Sequence, residues 1–560
     1  MSSRQHIIAI EPSRGGSAAR LRTEASQWVL RARSAARATT CNLRARSAGF
    51  VAPQASRTAG ADAAFRPTLA LYVSVGLVAG AVIALQIALM RSFAVGIWAH
   101  FGALVVSLAM LGFGLASAVM CIAKSWFERN WRSATHLSVL LFGPLLVAAS
   151  LVAQQIPFNA VDLVSDPAQK WRLIGNFLLY MLPFLAGAFF LGTVFLRAQK
   201  VFGRVYFADL TGSGLGGLLV LATMHLVTPE NLLMVPMALW FAGSALWLVA
   251  MGHRRAIAWL GVVAAVSAGL HLAAPALDLP TLAVAGHRSV ADLTAYVNSP
   301  DLLRGADLEL LRNEWSDLLA WTTLLIACIA ALSLVLLPLA FGWRAIFSCN
   351  PGKVRTIVYF ACLGAGYIMV EVGLISKFIQ ALSNGIVSAS VLITGMLVFS
   401  GLGSWVSERY LDRARAVMPR LFLAIGALLI GYGLALDRVL DWVGTFPYVA
   451  RLLFCFALVF PPAFLMGFPM PVAMAWLSRL GKDHMFLWAW GINGCFSVVG
   501  AAMVPVIATS FGLAAVLLVS GCAYLLAILG FFAILSPLSS VVSPKCRHPS
   551  RQAFISAFRR

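Results

Sequence analysis

Two carboxylates stand inside apolar stretches of this chain, Glu371 in AGYIMVEVGLI and Asp209 in YFADLTGSGLGG. A charge near the centre of a bilayer costs about 2.5–3.5 kcal/mol on insertion scales, so such groups are kept where they bind, relay protons or pair. Glu371 is the deeper of the two, and its chemistry suits a cation or a proton. Lys377, six residues on, is turned from it by about 240° along a helix and faces elsewhere. Asp209 follows Arg204 by about 7.5 Å of helix. Two readings stay open for it: an inner gate, or a carboxylate near the inner interface paired with Arg204 or a neighbouring helix.

Each acid has an amide counterpart. LQIALMRSF at 85–93 returns as VEVGLISKF at 370–378, which sets Gln86 against Glu371. Asp209-x-x-x-Ser213-x-x-Gly216 returns as Asn493-x-x-x-Ser497-x-x-Gly500. The offsets are 285 and 284 residues. Internal duplication at this scale is a transporter-type architecture. The four polar residues Gln86, Asp209, Glu371 and Asn493 are therefore candidates for one intramembrane site between repeats. The alternative is interhelical hydrogen bonding at the repeat interface.

The elements that carry these residues follow from composition. Hydrophobic residues make up 60% of the 560 and charged residues only 11%, with a mean hydropathy of +0.86. Soluble domains carry about 25% charged residues, so that class is excluded. Continuous apolar runs of about 20 residues recur, the length of a membrane-crossing helix, and their continuity excludes a barrel. Fourteen spans are expected between residues 68 and 536. Spans 1, 2, 4 and 5 match spans 9, 10, 12 and 13 by motif, and spans 3 and 6 match 11 and 14 by order. The expected fold is all-α and polytopic, major-facilitator-like, 6+2+6 with parallel repeats. Residues 67–252 hold the first six helices and 343–536 the second six. Residues 253–342 hold linker helices 7 and 8 and an outer loop, 275–317. A short interfacial helix is expected at 301–317, with Trp315 at headgroup level.

The net charge of +21 is a topology signal. Of 42 Lys and Arg, 33 fall in segments placed inside, while loop 275–317 carries seven acids against three arginines. This positive-inside bias puts both termini in the cytoplasm and removes nucleic acid as a partner; the bilayer is the partner instead. Residues 1–66 form a basic, Ala/Ser-rich region, expected to be a disordered leader or the product of a start site placed too far upstream; read as a transit peptide it would place the chain in an organellar inner membrane. Residues 537–560 form a basic tail.

Other motifs read as structure. Gly212-Ser213-Gly214-Leu215-Gly216-Gly217 satisfies G-x-G-x-x-G, but within an apolar helix rather than a strand-to-helix turn. Gly212 and Gly216, with Gly494 and Gly500, instead let helices approach closely. Gly467, Pro469 and Pro471, after Pro461-Pro462, interrupt span 12 as a hinge or a static kink. His100, His225 and His271 are isolated. The nine cysteines contain no CxxC, so neither disulfides nor a Cys-ligated metal are expected. No catalytic residue, metal or cofactor is assigned.

AGYIMVEVGLISKF with LVFSGLGS, YFADLTGSGLGGL, FLMGFPMPV and WAWGINGCFSVVGAAMVPVIATSFG together resemble the membrane portion of bacterial fused major-facilitator/spermidine-synthase-like proteins. The resemblance covers roughly 67–252 and 318–536. It implies a membrane scaffold, whereas aminopropyl transfer in that family belongs to a soluble Rossmann-like domain with no counterpart in this sequence. Gln86 also stands where a glutamate is often expected. Three functions follow: a carrier for a small cationic or polyamine-like solute, a non-transporting scaffold or partner protein, or a membrane-bound aminopropyltransferase.

Overall fold

A computed structural model of the chain describes residues 68–96, 99–153, 155–156, 167–224, 226–227, 231–274, most of 321–334, 353–479 and 483–534. The expected leader, outer loop, interfacial helix and basic tail lie outside the described residues, as does most of span 318–342.

Long apolar runs can satisfy their backbone only internally, and they do so as helices. Fifteen are numbered here: α1 Leu69–Gly96, α2 Ala99–Ile122, α3 Lys124–Arg129, α4 Trp131–Ala153, α5 Pro167–Arg197, α6 Phe202–Thr223, α7 Met234–Ala250, α8 Arg254–Ala273, α9 Lys353–Leu382, α10 Gly385–Ser407, α11 Ala414–Val443, α12 Tyr448–Met466, α13 Pro469–Arg479, α14 Asp483–Phe511 and α15 Leu513–Ile534. Eleven helical stretches among the described residues are long and apolar enough to cross a bilayer, and one of them, Val387–Val443, contains both α10 and α11. The fold is all-α and polytopic. Glycine ends α7 where the chain must turn: Gly252 has φ 75°, and His253 N donates to Leu248 O at 2.9 Å, closing the last turn.

Helix direction can be read from close approaches. A Cβ on Gly212 would stand 2.2 Å from Gly76 Cα, and one on Gly216 2.3 Å from Gly80 O. Position 76 thus meets 212 and 80 meets 216, so α1 and α6 run the same way. In the second half a Cβ on Gly364 would lie 2.1 Å from Asn493 O, and one on Gly500 2.8 Å from Ala365 Cα. Helices α9 and α14 are therefore also parallel, and the Gly80–Gly216 contact has its repeat partner in Ala365–Gly500.

The halves are joined by α6 on α10 and by α2 on α14. Along the first seam Gly203 meets Glu408 and Gly217 meets Thr394, so these helices are antiparallel. Along the second, Gly114 meets Cys495 and Gly491 meets Ser117, with Ser117 Oγ donating to Leu487 O at 2.6 Å. A tight turn through Ser383 (φ 55°) makes α9 antiparallel to α10. It follows that α1 and α9 point the same way. Within each half the equivalent pairs recur: α1 packs on α6 and α7 as α9 packs on α14 and α15, and α4 meets α7 as α11 meets α15. Helix α8 lies outside both sets, against α4 and α7.

Three expectations are refined. Gly494 is not a close-packing glycine, since an added Cβ would meet Gly114 N at 3.7 Å, ordinary van der Waals distance; its helix crosses α2 one residue further on, at Cys495. Span 12 is broken rather than kinked: α12 stops at Met466 and α13 starts at Pro469, while Pro461 and Pro462 sit inside α12. Tyr359 of α9 donates to Pro469 O at 2.8 Å and pins the break. The equivalent helix α5 runs on through Pro183. Lys377 is buried and forms an ion pair with Asp437 of α11, which takes it off the Glu371 side.

Candidate functional site: a cavity between the halves

The polar residues of the two repeats reach one place. A cavity of about 190 Å³ between the halves is lined by Gln86 of α1, Asp209 of α6, Glu371 of α9 and Asn493 of α14. The repeat places acid opposite amide twice, so each half brings one carboxylate. Gln86 and Glu371 are 2% and 7% exposed, which explains why neither can be an ordinary solvated side chain.

Hydrogen bonding leaves these groups open. Asn493 Nδ2 donates to Phe360 O at 3.5 Å. Ser497 Oγ, one turn on, donates to Gly364 O at 3.2 Å. Gln86 Oε1 is buried without a partner among the described residues. Glu371 and Asp209 likewise take no hydrogen bond from another described residue. The pairing of Asp209 with Arg204 is not what forms. Arg204 Nε reaches Glu408 Oε2, just past the end of α10, at 3.2 Å, because Gly203 leaves room for that carboxylate. Asp209, one and a half turns further along α6, is left to the cavity.

Among the described residues no Lys, Arg or His lies in the lining. An unpaired buried carboxylate is costly in such surroundings, so the arrangement either holds protons on the acids or accepts a cation. The walls suit a cation: Tyr206, Tyr367, Tyr524, Trp490 and Phe113 are among the lining residues, and aromatic ring faces attract positive charge. Apolar residues, among them Val82, Ile83, Leu363 and Ile368, cover much of the rest. At the Arg204 end the cavity is backed by packed rings. Trp490 meets Phe195 at 5.7 Å and Phe113 at 5.9 Å, while Phe202 stacks on Tyr206 at 5.3 Å.

Gly467, at the α12–α13 break, also lines the cavity with Met466 and Met470. A Cβ there would stand 2.1 Å from Ser400 O, so glycine is required for α10 to pass. Pro469 and Pro471 begin α13 on the far side of the break and are buried. Gly212, Gly216 and Gly500 take no part in the lining and hold α1 against α6 and α9 against α14. Among the described residues no group of three metal-ligating side chains forms.

Sequence reasoning missed the aromatic wall, although a signal was present. Tyr206, Tyr367 and Trp490 each stand three or four residues before Asp209, Glu371 and Asn493, hence on the same helical face. It also missed Gly76-x-x-x-Gly80, the partner surface for Gly212-x-x-x-Gly216.

No protein-family model matches the chain, and no curated protein does. Solved structures that do match include a peptide transporter of the POT type in complex with sulfate (13% identity, 84% of this chain and 96% of that one, TM-score 0.44). Another is the major facilitator superfamily transporter FucP in its outward conformation (14% identity, 83% and 98%, TM-score 0.40). A third is the proton:xylose symporter XylE of the same superfamily (13% identity, 83% and 93%, TM-score 0.40). At scores this low the likeness bears no argument about this chain, whose direction and pairing of helices come from its own contacts.

Proposed function

We propose that the chain is a membrane carrier that binds a small cationic solute in the cavity between its two parallel halves. The observation that carries this reading is the convergence of Asp209 and Glu371, one acid from each repeat, on a cavity whose lining holds no basic side chain among the described residues. A positively charged solute would satisfy both acids and meet ring faces on the way in. Because the two acids belong to different halves, a solute bound by both would bridge them, and movement of one half against the other would change its exposure from one side to the other. A proton on Glu371 would compete with the solute, which supplies a means of coupling.

The charge pattern supports both termini inside, and the resemblance to bacterial proteins supports a bacterial inner membrane. The resemblance to fused synthase-like proteins enters this reading as likeness of scaffold, with no aminopropyl transfer assigned to the chain.

The test uses the purified full chain. Thermal unfolding is followed with a panel of mono-, di- and polyamines, quaternary ammonium ions and neutral isosteres, and hits are taken to uptake in proteoliposomes. Cations should raise the unfolding temperature and accumulate, with neutral isosteres inert. Equal responses to charged and neutral members, or no response to any cation, would overturn the reading.

A further inference from the structure

The two acids of the cavity stand at different heights, and helix α10, which runs beside both α6 and α9, measures the interval. A Cβ on Gly401 of α10 would stand 2.7 Å from Thr211 Oγ1 of α6, and Gly214 meets Val398 further along the same antiparallel pair. Asp209, two residues before Thr211, is thus level with about residue 403 of α10. Ser388 Oγ of α10 donates to Ile375 O of α9 at 2.7 Å. Glu371, four residues before Ile375, is therefore level with about residue 392. Eleven residues of helix separate these levels, about 16 Å. The first half repeats the measurement. Gly76 meets Gly212 and Gly80 meets Gly216, so Asp209 is level with about residue 73 of α1. Gln86, the counterpart of Glu371, lies thirteen residues beyond that level, about 20 Å.

Helices α6 and α9 both run in the direction of α1. Their side chains lean toward the same end, so the interval carries over to the carboxylates. Between the two levels the lining includes Ile83, Leu363, Ile368 and Leu397, with Tyr367 among them. The Tyr367 hydroxyl is taken by Ser400 Oγ at 3.3 Å. Among the described residues no third acid lines the cavity. One ammonium group can therefore reach one carboxylate and leaves the other buried without a partner, which is the costly state.

We infer that the solute is a linear dication: two terminal ammonium groups, one held by Asp209 and one by Glu371, joined by an apolar chain. The inference rests on the cationic reading of this cavity and adds the number and spacing of the charges. With each nitrogen about 2.8 Å from its carboxylate, about 10 Å remains between the two nitrogens. An extended chain of eight methylenes holds its end nitrogens about 11 Å apart. A tetramethylene chain is too short to serve both acids. Amines in the interior of the chain would set further charge against a stretch that offers it no acid.

Titration calorimetry and thermal unfolding of the purified full chain test this with four probes. They are octamethylene diamine, tetramethylene diamine, octamethylene diamine acetylated on one nitrogen, and a linear tetramine of the same span. Octamethylene diamine should bind about tenfold tighter than the tetramethylene and monoacetylated probes, the worth of one further hydrogen bond to a charged group. It should bind at least as tightly as the tetramine. Asp209→Asn and Glu371→Gln should each bring it down to the level of the monoacetylated probe. Equal binding of the long and short diamines by wild-type protein overturns the spacing. Equal binding of the long diamine and its monoacetylated form overturns the second charge, and both results leave the cationic reading standing. A tetramine that binds more tightly than the diamine overturns the apolar middle. Failure of all four probes to bind overturns the cationic reading, and the dication with it.

Discussion

Glu371→Gln should abolish uptake of the cationic solute while leaving the amount of protein in the membrane unchanged. The substitution keeps the size of the side chain and removes only its charge, so the cavity keeps its shape. Glu371 is 7% exposed and no described residue hydrogen-bonds to it. No internal partner is therefore stranded by the change, and the folded chain is relieved of a desolvated charge worth about 2.5–3.5 kcal/mol on insertion scales. Stability should stay level or rise. Binding should fall instead: removing one side of a buried charge pair costs about 2–5 kcal/mol, roughly a thirtyfold to several-thousandfold weakening of Kd. Uptake into proteoliposomes and solute-dependent unfolding temperature, measured on the same preparation, separate the two effects. Undiminished uptake would take Glu371 out of the mechanism. The reciprocal change, Gln86→Glu, would place a third acid in the same cavity, at the position repeat-related to Glu371, and should strengthen cation binding or pin a proton between the two glutamates.

Gly212→Val should unfold or disperse the chain, where Gly494→Ala should not. The reason lies in what the new carbon meets. At Gly212 it would stand 2.2 Å from Gly76 Cα and O, and backbone cannot swing aside as a flexible side chain can. Relief requires α1 and α6 to separate, along the contact that places Gln86 and Asp209 on one cavity. Overpacking in a close-packed interior costs about 1–3 kcal/mol and more where backbone is the obstacle. At Gly494 the nearest atom is 3.7 Å away, so alanine fits without movement. Size-exclusion profiles and unfolding temperatures in detergent report the difference. A well-behaved Gly212→Val protein would mean that α1 and α6 do not meet at these glycines.

The duplication was legible as paired motifs because the membrane restricts what a span can be. Once the apolar background is set, few polar residues remain, and their recurrence at 85–93 and 370–378 stands out. The glycine motif of α6 could likewise be assigned to packing from its setting in an apolar run, since a nucleotide fingerprint needs a strand before it. The partners of these features were not legible. Nothing in one helix states which face of another it meets, so Gly76 and Gly80 went unnoticed until α1 was seen against α6. Asp209 could not be divided between Arg204 and an interior role by spacing alone, because five residues of helix set a distance and leave the claim of Glu408, 204 residues away, unstated.

What the sequence determined by itself is the material: helical spans of bilayer length, two copies of a motif set, and a handful of ionisable groups that a membrane interior tolerates only for a purpose. Hydrophobic runs and repeated letters are local, and local physics suffices to read them. The tertiary structure decided the geometry. It ran α1 and α9 in the same direction, broke the span at Met466–Pro469, gave Arg204 to Glu408 and Lys377 to Asp437, and brought the remaining acids to a shared cavity. Those outcomes depend on close packing between segments hundreds of residues apart, where a missing Cβ or an available carboxylate on one helix settles the partner of another.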